Sequence, residues 1–276
     1  MTARRLLLAA LLLLSARGFC AEPELKGEWQ QGHLIFGHTK PGAEVTFNGR
    51  KLRVSPGGEF VVGLDRDEKP DAELRVRQPG GAEETQHYTV AEQQWQIQSI
   101  EGLPPAQVNP PPKVFARLKK EQALISAARD RDSELNGFTQ AFVWPAHGII
   151  SGVFGSQRIL NGEKRRPHYG VDVAVPIGTK VVAPADGIIS LAQKNLYYTG
   201  GTLMIDHGHG LSSMMVHLSK LLVKKGEKVK QGQLVALSGM TGRATGPHLH
   251  WGLFWFDAKV DAALLVPPMG EVPARE

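Results

Sequence analysis

The stretch Gly246-Pro247-His248-Leu249-His250-Trp251-Gly252 sets two histidines one residue apart in a short apolar run. Glycine and proline bound the run, so it reads as a strand. On a strand, residues i and i+2 share a face, which sends His248 and His250 into one cavity. Far upstream, His168-Tyr169-Gly170-Val171-Asp172 adds a third imidazole and a carboxylate. No helix is needed to bring these four side chains together.

Working outward, the whole second half is punctuated in the same way. Strands are expected at Gly148–Phe154, Val171–Val175, Lys180–Ala183, Gly187–Ala192, Thr202–Asp206, Ser213–His217, Leu234–Ser238 and His248–Phe256. Pro184-Ala185-Asp186-Gly187 and Val229-Lys230-Gln231-Gly232-Gln233 resemble paired turns of a barrel-sandwich hybrid. No lysine lies in the sequence context that such carrier domains modify, so only the architecture is expected to be shared. Gly239-Met240-Thr241-Gly242 reads as a tight turn before the His248 strand.

Residues 24–92 form a second β-rich unit. Short strands are expected at His33–Thr39, Glu44–Phe47, Leu52–Val54, Phe60–Leu64, Glu73–Arg77 and Gln86–Val90. Asn48-Gly49, Pro56-Gly57-Gly58 and Pro79-Gly80-Gly81 are turn signals between them. This spacing suggests a small immunoglobulin-like sandwich. Its histidines, His33, His38 and His87, lie far apart with no carboxylate pattern, so a structural or binding role is expected. Leu103-Pro104-Pro105 and Pro110-Pro111-Pro112 make a stiff linker. A helix from Lys113 to Leu135 follows, with a stripe of Phe115, Leu118, Ile125 and Ala128 and an exposed charged tail, Arg129-Asp130-Arg131-Asp132.

The first 21 residues have the form of a secretory signal: Arg4-Arg5, an apolar run from Leu6 to Leu14, then small residues. The run is short for a membrane span. The expected organisation is a signal at 1–21, a sandwich at 22–100, linker and helix at 101–140, and a second domain at 141–270. Cys20 is the only cysteine, so an internal disulfide is excluded. From residue 140 onward there are 14 Lys and Arg against 9 Asp and Glu. These charges are scattered and line no stripe, so they read as a solvated surface and argue against nucleic acid.

Histidine and aspartate are ligand types that zinc prefers. An open zinc site needs three protein ligands, and His168, Asp172 and His250 are a candidate set. Zinc there would bring the pKa of its water to about 7. His217 and His248 are then free for proton work, which imidazole suits near neutral pH. The sequence has no His-Glu-x-x-His helix, so a histidine is expected as base in place of glutamate. His147, His207 and His209 are read as structural; His207-Gly208-His209-Gly210 has no paired carboxylate at ligand spacing.

Further motifs recur in order: Phe154-Gly155-Ser156-Gln157-Arg158, Ala183-Pro184-Ala185-Asp186-Gly187, Asp206-His207-Gly208 and His217-Leu218-Ser219. With the two stretches above, residues 145–267 resemble the M23 (LytM/lysostaphin-type) zinc metallopeptidases of bacterial cell walls. The resemblance implies a mainly β, LytM-type antiparallel domain. It also implies zinc on His168, Asp172 and His250, and a catalytic pair His217 and His248. The implied substrate is peptidoglycan, cut within stem or cross-link peptides, and the partners implied for the N-terminal unit are cell-wall or division proteins. Arg158 and Tyr169 are candidate substrate contacts. Met214-Met215-Val216 stands where similar sequences carry an aromatic, which touches one wall of the groove. The expected location is the periplasm. The alternative is an inactive activator or scaffold of cell-wall amidases, a class marked by lost ligands, and none is lost here. The N-terminal sandwich and helix are candidates to cover the groove in a resting state.

Overall fold

In a computed structural model, residues 22–102, 109 and 111–270 are described. The signal-like residues 1–21 and most of the proline-rich stretch 103–110 lie outside them. Among the described residues, no helix is long and apolar enough to cross a membrane. The protein is mainly β, as its punctuation predicts.

Seven strands build the N-terminal unit: β1 (Glu24–Lys26), β2 (Leu34–His38), β3 (Glu44–Phe47), β4 (Arg50–Leu52), β5 (Glu59–Gly63), β6 (Asp71–Arg77) and β7 (Glu83–Thr89). They form an antiparallel sheet in the order β1-β2-β5 and another in the order β4-β3-β6-β7. Asn48 and Gly49 both have positive φ, 46° and 80°. That is the signature of the type I′ turn that this dipeptide predicts.

β8 (Ile97–Ile100) leaves this unit, and α1 (Phe115–Arg129) follows. The helix is shorter than its expected range. A 3₁₀ turn at Pro112–Val114 precedes it, and the helix ends at Arg129. Better partners lie elsewhere for the tail. The buried carboxylate of Asp206 accepts from Arg131 Nε at 2.9 Å and from Ser133 Oγ at 3.0 Å. Arg53 Nε donates to Asp132 Oδ1 at 3.1 Å. Tertiary ion pairs thus override the local helical tendency of residues 130–135. Of the expected stripe, Ala128 and Ile125 face the protein, while Phe115 is 54% exposed.

The C-terminal strands are β9 (Ile149–Gly152), β10 (Gln157–Leu160), β11 (Glu163–Lys164), β12 (Val171–Ala174), β13 (Lys180–Val182), β14 (Gly187–Leu196), β15 (Gly200–Gly208), β16 (Leu211–Leu218), β17 (Lys220–Leu221), β18 (Lys228–Val229), β19 (Leu234–Leu237), β20 (His248–Trp255) and β21 (Ala258–Val260). The main sheet runs β18-β14-β15-β16-β20-β12-β9, with β21 beside β20. A smaller sheet, β13-β19-β17, stands apart, and a third, β11-β10-β8, is partly parallel. The two expected turns meet: Asp186 accepts from Lys230 Nζ at 2.6 Å and from Gln231 N at 2.9 Å.

One buried apolar cluster runs through both halves. It joins Val45, Phe60 and Val62 to Leu203, Trp251 and Val260. Trp255 packs edge-on against Phe47 at 6.0 Å. The N-terminal sheets are therefore welded to the main sheet by shared apolar burial, worth roughly 25 cal/mol per Å² removed from water. A smaller cluster places Ala128 and Ile125 of α1 on Met204, Met214, Val216 and Phe254. Met214 and Val216 therefore lie beneath α1, and Met215 is in the central core. Val216 is the cross-strand partner of His250, so the departure noted at these positions lies on the sheet face that carries His250.

Candidate metal centre

β12 and β20 pair antiparallel in a register that sets Asp172 opposite His250 and Ala174 opposite His248. Strand alternation then puts both histidines on the face that carries Phe254. Gly170 lets the His250 ring lie close: a Cβ there would come within 2.6 Å of His250 Nε2.

Three donor atoms converge. His250 Nδ1 lies 2.8 Å from Asp172 Oδ1, His168 Nε2 lies 3.0 Å from the same oxygen, and the two ring nitrogens are 2.9 Å apart. Among the described residues this is the cluster suited to a metal ion. Tetrahedral bonds of about 2.0 Å would impose edges of roughly 3.3 Å, slightly wider than this triangle. The donor chemistry also fits. His168 Nδ1 donates to Val153 O at 3.0 Å, which leaves Nε2 as a lone pair aimed at the cluster. A proton on His250 Nδ1 can serve both remaining acceptors, and a divalent cation would replace it.

Burial drives His168 down to about 4, so its imidazole is neutral, as ligation requires. For Asp172, burial pushes upward, but the close contacts with the His168 and His250 rings outweigh it. They hold the carboxyl far below the usual range. Its second oxygen, Oδ2, accepts from Arg158 Nη2 at 2.8 Å.

His217 and His248 stand beside this cluster, ring centroids 4.7 Å apart. His248 Nε2 is 3.8 Å from Asp172 Oδ1. His217 Nδ1 donates to Thr241 O at 2.7 Å and His248 Nδ1 to Gly246 O at 2.9 Å. Both rings are thereby fixed with Nε2 as an acceptor. Burial, then the nearby His250, lowers His217 to about 3. Its φ of 62° is a sparsely populated backbone state for a non-glycine residue. The turn at Gly239-Met240-Thr241-Gly242 holds that state: Thr241 Oγ1 donates to Leu218 O at 2.9 Å while its own carbonyl receives His217.

The structure thus brings five of the seven expected residues together, with Arg158 tied to them through Asp172 and the Tyr169 ring beside Lys259. Arg158, expected at the substrate, is engaged with Asp172. Its planar, permanently charged fork finds a carboxylate inside the protein. The Tyr169 ring lies 5.6 Å from Lys259 Nζ, which binds Asp65 at 3.2 Å. Tyr169 therefore faces the seam with the N-terminal sheets. The three histidines read as structural lie outside this cluster. His207 is fully buried, with Nδ1 donating to Asp186 O at 2.8 Å and Nε2 accepting from Ser213 Oγ at 2.9 Å. His209 packs on Phe138 at 4.2 Å, and His147 is exposed. The supporting carbonyls of Val153, Thr241 and Gly246 leave no side-chain signal in a sequence. Arg158 left one, a cationic residue amid a motif, but its partner was not legible.

Comparison with known proteins agrees with this geometry. The profile of Peptidase family M23 matches residues 166–262. A crystal structure of a Pseudomonas aeruginosa protein assigned to peptidase M23 superposes with a TM-score of 0.69 at 30% identity, covering 86% of this chain and 95% of that one. Two Vibrio cholerae relatives are named peptidoglycan DD-endopeptidases ShyA and ShyB. ShyA is 43% identical over 46% of this chain and 30% of its own length, and ShyB 46% identical over 35% and 22%. The chain therefore spans less than a third of the length of these relatives. Sharing the M23 profile, and a fold held over nearly the full length of a related structure, the chain belongs to peptidase family M23.

Proposed function

We propose that the protein is an exported, zinc-dependent endopeptidase that hydrolyses peptide bonds in peptidoglycan stem or cross-link peptides. The observation that carries this reading is the triangle of His168, Asp172 and His250 donor atoms with two further imidazole acceptors beside it. The names of the Vibrio cholerae relatives support peptidoglycan as the substrate.

Zinc held by these three residues would supply Lewis acidity toward a peptide carbonyl and toward water. The chain's own residues supply the rest. Val153 O fixes the His168 tautomer, and Arg158 holds the Asp172 carboxylate by its outer oxygen. His248 Nε2 is the proposed proton acceptor for attacking water and returns that proton to the leaving amine. His217, braced by Thr241, orients the reacting groups. General acid–base work of this kind contributes about 10²–10⁴-fold.

The sequence supports export: two arginines, an apolar run and small residues precede the β-rich chain, which favours the periplasm. The sandwich reading of the N-terminal sheets rests on their three- and four-stranded antiparallel orders, and we read the unit as Ig-like. The full ligand set favours an enzyme over an amidase activator. Digestion of purified sacculi, with muropeptides identified by mass spectrometry, tests the assignment. Cross-link cleavage that stops with a chelator and returns with zinc supports it. Digestion unaffected by complete zinc removal overturns it.

A further inference from the structure

The loop 153–156 wraps His168. Val153 O takes the ring proton at 3.0 Å, Gly155 N donates to His168 O at 2.8 Å, and His168 N donates to Ser156 O at 2.9 Å. The loop is itself held from outside the region that matches the family profile. Arg66, in the chain after β5 and only 7% exposed, donates from Nε to Gly155 O at 2.8 Å. Its guanidinium lies 4.9 Å over the Trp95 ring, and Trp95 packs edge-on against Phe154 at 5.6 Å. Gly155 has φ 78°, and a Cβ there would fall 2.0 Å from Trp95. The indole and the loop backbone are therefore in direct contact, with no room for a side chain between them.

The same segment reaches a second ligand. Gln157 N donates to Gln96 O at 2.7 Å, and β8 runs parallel to β10 with Gln98 opposite Arg158. Arg158 in turn holds Asp172 Oδ2. Two of the three ligands thus take their orientation from groups that residues 66 and 95–100 support.

We propose that Arg66 and Trp95 are positioning residues of the metal centre, so that the N-terminal sheets form part of its supporting shell. The inference rests on the reading of His168, Asp172 and His250 as zinc ligands. Arg66 and Trp95 touch neither the ion nor the substrate. They act by limiting how far the 153–156 loop, and with it the His168 ring, can move. Outer partners that orient ligands typically change metal affinity 10–100-fold when removed.

The test is zinc affinity of the full chain, by competition with a chromophoric chelator, beside the thermal midpoint of the metal-free protein. R66M and W95L are expected to bind zinc about 10–100-fold more weakly, with R66K between R66M and wild type. R53A is the control. It cuts the ties to Asp132 and Glu134, away from the ligands, and should lower the midpoint with affinity unchanged. Affinities of R66M and W95L within twofold of wild type overturn the proposal, as does an equal loss in R53A. If R66M does not fold, R66K and W95L are judged by the same criterion. Wild-type protein that takes up no zinc would instead sink the metal reading itself.

Discussion

Asp172 and His250 are cross-strand partners on β12 and β20, and their donor atoms lie 2.8 Å apart. Pairing two neighbouring strands therefore assembles two of the three proposed ligands. His168 joins from four residues before Asp172, by way of the loop that enters β12. Two of the three residues are thus carried by the main sheet, and the third depends on the loop that precedes it.

Removing a ligand and removing a proton carrier should separate. H250A is expected to lose stoichiometric zinc and hydrolysis together. H217A and H248A should keep zinc and lose about 100-fold or more in turnover. Zinc content by elemental analysis, alongside muropeptide release, checks both. Loss of zinc in H217A and H248A equal to that in H250A would put all three in the ligand set and contradict the roles.

Arg158 should matter to the metal more than to the substrate. R158M frees Asp172 Oδ2 and is expected to weaken zinc binding about 10–100-fold. Turnover at saturating zinc should fall much less, and KM should barely change. A raised KM with unchanged zinc affinity would return Arg158 to the substrate.

The motif Asp206-His207-Gly208 should prove structural. Asp206 anchors Arg131, Ser133 and Gly208 N from a buried position, so D206N is expected to cost about 2 kcal/mol of stability. Zinc affinity should stay at the wild-type level. Urea unfolding and chelator competition on one preparation measure both.

Stability should fall as the medium becomes acidic. Burial lowers His207 to about 4, against 6.5 in the unfolded chain. Between those values the unfolded state binds the extra proton, so the contribution is complete above pH 6.5 and disappears toward pH 4. In metal-free protein His168, also lowered to about 4, adds to the same slope. Urea midpoints from pH 7.5 to 4 should decline, and H207Q should show a shallower decline. An unchanged slope in H207Q would remove His207 from the account.

Much of this was legible beforehand, for physical reasons. Glycine and proline mark turns through backbone constraints that act locally, so strands such as Glu44–Phe47 and the Asn48-Gly49 turn could be read directly. The i, i+2 spacing of His248 and His250 announced a shared face. What stayed hidden was non-local. β8 and β10 pair in parallel across a long separation and carry polar residues that give no alternation. The non-helical tail after Asp130 follows from ion pairs to Arg53 and Asp206, residues remote in sequence. Arg66 looks like any surface arginine until Gly155 O and Trp95 are seen beside it.

The central claim is one zinc ion on His168, Asp172 and His250 that hydrolysis requires. It is tested most directly by titrating zinc into metal-free protein while muropeptide release from sacculi is followed. The account predicts release that rises with zinc and saturates at one ion per chain. Full release from protein shown to be free of metal would contradict it.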